Sequence, residues 1–212
     1  MEQDVIIQTQ KFSSGAFRDA FRATSKTSGT PEQWVVKTYN PKAVEAIVVK
    51  LSSTIDDHAR KQVQMHVVAR HLTQKFALTA PTEFGACFKY NRCYYTTYND
   101  RPATTEEYVP GNFVKYINVD GTFTYPRDGS SDEYKEQFEK AQCLVHYSYN
   151  LSQKKLMLLD IQGSKFDLYD PEIATADIMD DEEVKYIFAV VIAHVLELTS
   201  SQKGTNAMII AK

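Results

Sequence analysis

The segment Asp160-Ile-Gln-Gly-Ser-Lys-Phe-Asp-Leu-Tyr-Asp170 carries the most information about the fold. It continues the run Lys155-Leu-Met-Leu-Leu, whose apolar residues predict a buried strand that ends in an aspartate. A carboxylate at the exit of a buried strand is unfavourable unless it is paired, hydrogen-bonded or bound to a metal. Gln162 follows two positions later, on the same side of an extended chain. Asp170 stands before Pro171, which favours extended backbone.

Gly163 within this segment permits a turn, so the polar side chains can surround one loop. Two carboxylates and an amide oxygen are hard oxygen ligands, and they suit Mg²⁺ that carries the phosphates of a nucleotide. A second interpretation is a strand followed by an acidic surface loop, which composition alone favours because acidic loops are common.

Two upstream segments could supply the cations for phosphate binding. Lys37 lies in Trp34-Val-Val-Lys-Thr-Tyr39, a predicted strand, and its ammonium could neutralise phosphate oxygens. Taken alone, it is better explained as a lysine on the solvent face of an amphipathic strand. One strand earlier, Gly15 allows backbone amides to approach phosphate, and Arg18 adds a fork of donors.

Composition and motifs exclude several function classes. The 212-residue chain has a net charge of −3 and no Lys/Arg-rich run, so neither nucleic acid nor a membrane is an expected partner. No stretch approaches the roughly 18 apolar residues that span a bilayer, and the start of the chain does not resemble a signal peptide. We therefore expect a cytoplasmic protein. The Walker pattern, G-x-G-x-x-G, H-R-D, D-F-G and G-x-S-x-G are all absent, which excludes P-loop enzymes, conventional kinases and serine hydrolases of the common type.

The cysteines and histidines give no support for a metal centre. Cys87, Cys93 and Cys143 are interpreted as reduced thiols that pack as small hydrophobic residues. The sequence contains no C-x-x-C pair, so it gives little support for a zinc site. The five histidines lie on or beside predicted helices, where they are interpreted as solvated or packed residues: His58, His66, His71, His146 and His194.

Periodicity predicts an α+β fold with two lobes. The first hundred residues read mainly as strands, over 5–10, 16–23, 33–39, 83–90 and 93–98, with one long helix over about 55–76. Ile55, Ala59, Val63 and Val67 are predicted on the apolar face of that helix. In the second half, Ser130-Ser-Asp-Glu133 matches a capping box and opens a helix to about residue 149, and a last helix is predicted over 181–200. Ligands commonly bind in clefts between lobes.

These residues together resemble the alpha-kinase family, the atypical serine/threonine kinases that include myosin heavy chain kinase and elongation factor 2 kinase. The similarity runs from about residue 15 to 174. Its strongest part is Leu158-Leu-Asp-Ile-Gln-Gly163 with Leu168-Tyr-Asp-Pro171. The segment Glu106-Glu-Tyr-Val-Pro-Gly-Asn-Phe-Val-Lys-Tyr116 is similar to the family's interlobe segment, and Gly15-Ala-Phe-Arg18 with Val35-Val-Lys37 completes the pattern.

The resemblance implies one kinase domain over 1–212, with an N-lobe over about 1–105, a hinge over 106–111 and a C-lobe over 112–212. It implies ATP and Mg²⁺ as cofactors, and phosphoryl transfer to serine or threonine of a protein substrate by a monomer. The implied roles are catalysis for Asp160 and Lys37, ATP binding for Gly15, Arg18, Lys37 and Glu106, with Glu106 near the adenine, and Mg²⁺ binding for Gln162 and Asp170.

The chain departs from the family towards its C-terminus. His146 falls where the family has its first zinc histidine, but no cysteine follows Asp170, so we expect no structural zinc. The family's glycine-rich loop is also missing. A catalytically weak ATP-binding or scaffold module that retains the kinase fold is therefore an alternative, and an acceptor other than a protein is a third.

Overall fold

The computed structural model describes residues 5–25 and 31–175, so the helix predicted over 181–200 lies outside the described residues. The helices are α1 (Pro41–Glu45), which continues into a π-helical turn (Ala46–Lys50), α2 (Ile55–Thr79) and α3 (Asp132–Leu151), with a short 3₁₀ turn at Thr82–Phe84. In chain order the strands are β1 (Val5–Ser14), β2 (Arg18–Ser25), β3 (Gln33–Tyr39), β4 (Lys89–Tyr90), β5 (Cys93–Tyr98), β6 (Arg101–Glu107), β7 (Val114–Lys115), β8 (Leu156–Leu159), β9 (Gln162–Ser164), β10 (Asp167–Leu168) and β11 (Glu172–Thr175).

The N-terminal lobe is an antiparallel five-stranded sheet in the order β1-β2-β3-β6-β5. Side chains alternate between its faces. On β3, Trp34 and Val36 join a small apolar cluster on one face, with Ala23 and Ala103. Val35 and Lys37 therefore point to the other face, where the candidate site lies.

Helix α2 starts where the sequence predicts, because Thr54 caps it by accepting a hydrogen bond from the backbone N–H of Asp57 at 3.0 Å. Its buried apolar residues are Ala59, Met65, Ala69, Leu72 and Phe76. The predicted place of Val67 on that face is wrong, since its side chain is 58% exposed. The helix packs on β5 and β6 and also contacts β4 and α3, so it connects the two lobes.

The C-terminal lobe combines a four-stranded sheet in the order β4-β10-β9-β7, a β8–β11 pair and α3. Its core is continuous with the buried face of α2. The residues that contribute most of this core are Tyr116, Ile117, Leu144, Leu158, Ile161, Leu168 and Ile173. The predicted two-lobed α+β architecture is thus confirmed. No helix in the described part of the chain has the length and apolar character to cross a membrane.

Local predictions fail where turn chemistry overrides residue preference. The strand predicted over 83–90 is reduced to β4, because Gly85, at φ +69°, ends the 3₁₀ turn in a left-handed conformation. Ser131, rather than Ser130, caps α3 by accepting from the N–H of Tyr134. All three cysteines are free, but the prediction that each is buried holds only for Cys93, because Cys87 is half-buried and Cys143 is exposed on α3.

Two buried histidines on α2 make the stability of the folded protein depend on pH. Burial lowers the pKa of His58 and of His66 to about 4. These imidazoles stay neutral in the folded chain but protonate near pH 6.5 when it unfolds. Below that pH the unfolded state therefore binds more protons than the folded state, so a fall in pH favours unfolding. Their stabilising contribution is complete above about pH 6.5 and is lost between about pH 6.5 and 4.

We expect His66→Gln to flatten the dependence of the unfolding free energy on pH by up to about 1.4 kcal/mol per pH unit in that window. Urea denaturation at several pH values measures it. His71→Gln, on the exposed face of the same helix, is the matched control and should keep the wild-type slope. Equal slopes for wild type and His66→Gln would contradict a buried neutral imidazole.

Candidate active site

A cavity of about 340 Å³ lies between the five-stranded sheet and the segment that follows β8. The residues predicted for the site all line it, and they are Gly15, Arg18, Lys37, Glu106, Asp160, Gln162 and Asp170. Folding therefore gathers side chains from β2, β3, β6 and the segment after β8. The interpretation of that last segment as an acidic surface loop is wrong for Asp160, which is only 9% exposed.

Lys37 lines the cavity and is 7% exposed, so it is not on the solvent face of its strand. Its ammonium contacts the carboxylate of Glu106 and lies 2.6 Å from Oδ2 of Asp170. Burial acts to lower the pKa of Lys37, but the carboxylates of Asp170 and Glu106 outweigh burial and raise it. The side chain is therefore a fixed cation at neutral pH.

Asp170 forms ion pairs with two cations of the N-terminal lobe. Its Oδ1 lies 2.8 Å from Nη2 of Arg18, a residue 152 positions earlier, and its Oδ2 faces Lys37. Burial acts to raise the pKa of Asp170, but Lys37 and Arg18 hold it well below its usual range. The expectation of extended backbone before Pro171 is wrong, because Asp170 has a φ of +50°. This left-handed conformation, which Asp tolerates better than most residues, accompanies both ion pairs.

Asp160 follows β8 directly and also has a left-handed backbone, with φ +50°. It therefore does not continue an extended strand into Gln162, although both residues line the cavity. Its Oδ1 lies 2.7 Å from Nζ of Lys115 on β7. Burial raises the pKa of Asp160, and the ammonium of Lys115 opposes that rise.

Gly163, predicted to permit a turn, has a different role in the structure. Gly163 lies inside β9 and pairs with Leu168 on β10 and with Val114 on β7. A Cβ at this position would stand 2.0 Å from the backbone oxygen of Asp167. Gly163 is therefore required for close strand contact, which fixes Gln162 beside the cavity. The amide nitrogen of Gln162 is 3.5 Å from the backbone oxygen of Asp170.

Gly15 lines the cavity from the β1–β2 turn. Its N–H donates to the backbone oxygen of Arg18 at 2.8 Å, so this amide is used to close the turn. A Cβ at Gly15 would meet only that oxygen, at an ordinary 3.7 Å. The turn thus places Arg18 by its hydrogen bond, and it has no steric need for glycine.

Glu106 lies on β6 rather than in a loop, since this strand runs through Glu107 and includes the first two residues of the predicted hinge. Burial raises the pKa of Glu106, and its contact with Lys37 opposes the shift. His66 and Cys93 place potential ligand atoms within 4.8 Å of its carboxylate, the one cluster of metal-ligand type within residues 5–25 and 31–175. Two of the three members have another role, because Nε2 of His66 donates to the Asn91 carbonyl at 2.9 Å and Glu106 is paired with Lys37.

Three further residues line or complete the site, and sequence reasoning missed them. Lys115 contacts Asp160, while Tyr169 and Glu172 line the cavity. The aromatic ring of Tyr169 is 5.7 Å from the ammonium of Lys37. Burial raises the pKa of Glu172 to about 7. Strand alternation gave a signal for Lys115, which neighbours buried Tyr116 as Lys37 neighbours buried Val36.

Comparison with known proteins decides the family. The profile of the alpha-kinase family matches residues 13–186, most of the chain. This protein belongs to the alpha-kinase family. The alpha-kinases are atypical protein kinases, and the predicted resemblance is confirmed. A comparison with curated protein sequences finds no significant match.

Solved structures support the alpha-kinase fold. The apoenzyme domain of myosin-II heavy chain kinase A has a TM-score of 0.62 at 18% identity, over 97% of this alpha-kinase and 86% of that chain. The same domain in complex with AMP-PNP has a TM-score of 0.60 at 20% identity, over 82% and 74%. Its ADP complex has a TM-score of 0.61 at 19% identity, over 92% and 83%.

Proposed function

We propose that this alpha-kinase catalyses phosphoryl transfer from ATP, with Mg²⁺, to serine or threonine of a protein substrate. The observation that carries the proposal is the group formed by Arg18, Lys37 and Asp170 in one cavity. Two fixed cations suit phosphate oxygens, and the carboxylate between them suits a divalent cation. The AMP-PNP and ADP complexes of myosin heavy chain kinase A support a nucleotide as the ligand of this fold.

Lys37 and Arg18 would bind the phosphates, and the base would lie against apolar and aromatic residues of the cavity lining. Val35, Tyr108 and Val109 belong to that lining. Glu106, predicted near the adenine, contacts Lys37, so we assign it the positioning of that ammonium. A lysine held by a carboxylate needs little reorganisation when phosphate arrives, which favours catalysis by positioning.

Two oxygen donors of the cavity lining fit Mg²⁺ in their chemistry. The carboxylate of Asp170 and the side-chain amide oxygen of Gln162 are hard ligands, and both residues line the cavity. When bound, Mg²⁺ would neutralise charge on the phosphate oxygens. The chain's own contribution is to hold these donors near Lys37 and Arg18.

Asp160 is the residue that we assign to the acceptor hydroxyl. It would orient the hydroxyl and take up its proton as the oxygen bonds to the terminal phosphorus and the bond from that phosphorus to the bridging oxygen breaks, releasing ADP. Lys115 holds one carboxylate oxygen of Asp160 at 2.7 Å, and its charge favours the ionised form that this role needs.

We further propose a single domain over 1–212, with lobes over 1–105 and 112–212 joined by 106–111. It would act in the cytoplasm as a monomer, without structural zinc, and without nucleic acid or membrane as a partner.

The alternative is a module that binds ATP but transfers phosphate poorly. The ion pairs that occupy both oxygens of Asp170 are the observation that favours it.

Binding of ATP is tested by thermal denaturation. A ligand at a hundredfold excess over its Kd stabilises the folded state by about 2.7 kcal/mol. For a chain of this length we expect the melting temperature to rise by about 5–10 °C with ATP and Mg²⁺. Adenosine is the matched control and should give a smaller shift, because it offers Arg18 and Lys37 no phosphate. Absence of a shift with ATP at any Mg²⁺ concentration contradicts both the kinase and the binding module.

A further inference from the structure

Asp170 has no free carboxylate oxygen in this structure. Nη2 of Arg18 lies 2.8 Å from Oδ1, and Nζ of Lys37 lies 2.6 Å from Oδ2. We name these three residues the carboxylate clamp. The side chains are at most 30% exposed, so solvent screens their attraction only in part. The clamp thus joins the candidate phosphate-binding cations to the candidate metal ligand.

The clamp opposes binding of a divalent cation by itself. An approaching cation must displace Arg18 or Lys37 from the carboxylate and would then stand close to both positive charges. Gln162 offers only a neutral amide oxygen as compensation. With Glu106 included, the cluster contains two cations and two carboxylates, so it is already neutral without a ligand.

A nucleotide changes this balance because its phosphates compete with Asp170 for the same two cations. We propose that the phosphates draw Arg18 and Lys37 from Asp170 and so release its oxygens for the divalent cation. The proposal rests on the proposed nucleotide site. It makes cation binding conditional on nucleotide binding, and linkage requires the converse, that the cation strengthens nucleotide binding by the same factor.

Lys37 has a second anchor during this exchange, whereas Arg18 does not have one of equal strength. The ammonium of Lys37 keeps its contact with Glu106. Among the described residues, the guanidinium of Arg18 has one further hydrogen bond, at 3.4 Å to the hydroxyl of Thr104, and the carboxylates of Glu106 and Glu172 act on it without a direct ion pair. Arg18 is therefore the member of the clamp whose removal should most simply expose Oδ1 of Asp170.

The first test measures Mn²⁺ binding without nucleotide, from the electron paramagnetic resonance signal of free Mn²⁺. We expect weak binding to wild type and at least about tenfold tighter binding to Arg18→Gln, in line with usual coupling strengths. Arg22→Gln is the matched control. It removes the same charge from the same strand, but Arg22 contacts Phe12 and Tyr108 rather than Asp170, so its Mn²⁺ affinity should stay at the wild-type value.

The second test measures ATP binding in EDTA, where no metal contributes. Asp170→Asn should bind metal-free ATP at least about tenfold more tightly than Asp160→Asn. Both variants remove one negative charge from the cavity lining, but only the first releases Arg18 and Lys37. Circular dichroism melts establish that the variants are folded before either titration.

Equal Mn²⁺ affinities for wild type and Arg18→Gln, or equal ATP affinities for the two asparagine variants, overturn the clamp. These results are distinguishable from failure of the proposed function. If wild type binds no ATP, the kinase proposal fails, and the Mn²⁺ titration still decides the clamp because it contains no nucleotide. If ATP binds but the affinities are equal, the clamp alone fails.

Discussion

Asp160→Ala is expected to lower the rate of phosphoryl transfer by about three to four orders of magnitude, the scale seen when a residue of a catalytic group is removed. The carboxylate is the one that we assign to the acceptor hydroxyl, so the substitution removes the group that orients it and takes up its proton. Affinity for ATP should change by less than about threefold, because Asp160 contacts neither Arg18 nor Lys37 in the ion pairs of the site. Initial rates at saturating ATP measure the effect.

Asp167→Ala is the matched control for this prediction. Asp167 lies in the same segment, on β10, but its side chain is 48% exposed and pairs with Lys89 at the surface. Surface ion pairs contribute only about 0–1 kcal/mol, so activity and stability should stay near wild type. A transfer rate within tenfold of wild type for folded Asp160→Ala would contradict the assigned role of the carboxylate.

Lys37→Met should remove most ATP binding and also destabilise the protein. The loss of the ammonium leaves the carboxylate of Glu106, 5% exposed, without its partner in the interior. Removing one member of a buried ion pair costs about 3–5 kcal/mol, which is a large part of the stability of an ordinary domain. Urea denaturation and a nucleotide titration report the two effects separately.

The double variant Lys37→Met/Glu106→Gln separates phosphate binding from stability. A neutral glutamine no longer leaves a charge buried, so we expect the double variant to recover at least about half of the lost stability. It should not recover ATP binding, because the cation for the phosphates is still missing. Normal ATP affinity in the double variant would show that Lys37 is structural only.

Much of the fold was predictable because it follows local periodicity. The apolar positions of α2 identify the long helix, and the β-branched and aromatic residues of 33–39 identify β3. Short elements were not predictable in this way. The strands β7, β9 and β10 have two or three residues each, which is too few to show a period, and their pairing depends on contacts distant in sequence.

The site was predictable in its members more than in its geometry. The order and spacing of Lys37, Glu106, Asp160, Gln162 and Asp170 led to one cavity, and they do line one. Their ion pairs did not follow from the sequence. Whether Glu106 faces a base or Lys37 depends on strand register, and the pairing of Arg18 with Asp170 depends on how the two lobes meet.

The errors share a physical cause. Reasoning from one segment assigns each residue a local role, such as a turn for Gly163 or extended backbone for Asp170. In the folded chain Gly163 is required by the close contact of β9 with β10, and Asp170 is held by cations from two other strands. Tertiary contacts therefore decide conformation where local preferences are weak.

Transfer of the labelled terminal phosphate of ATP to a generic acceptor protein such as casein, followed by identification of the modified residue, tests the central claim most directly. We expect Mg²⁺-dependent incorporation on serine or threonine that disappears with EDTA and with Asp160→Ala. A wild-type protein whose melting temperature rises with ATP and Mg²⁺, but which transfers no phosphate to any acceptor protein, would contradict it and identify a nucleotide-binding module instead.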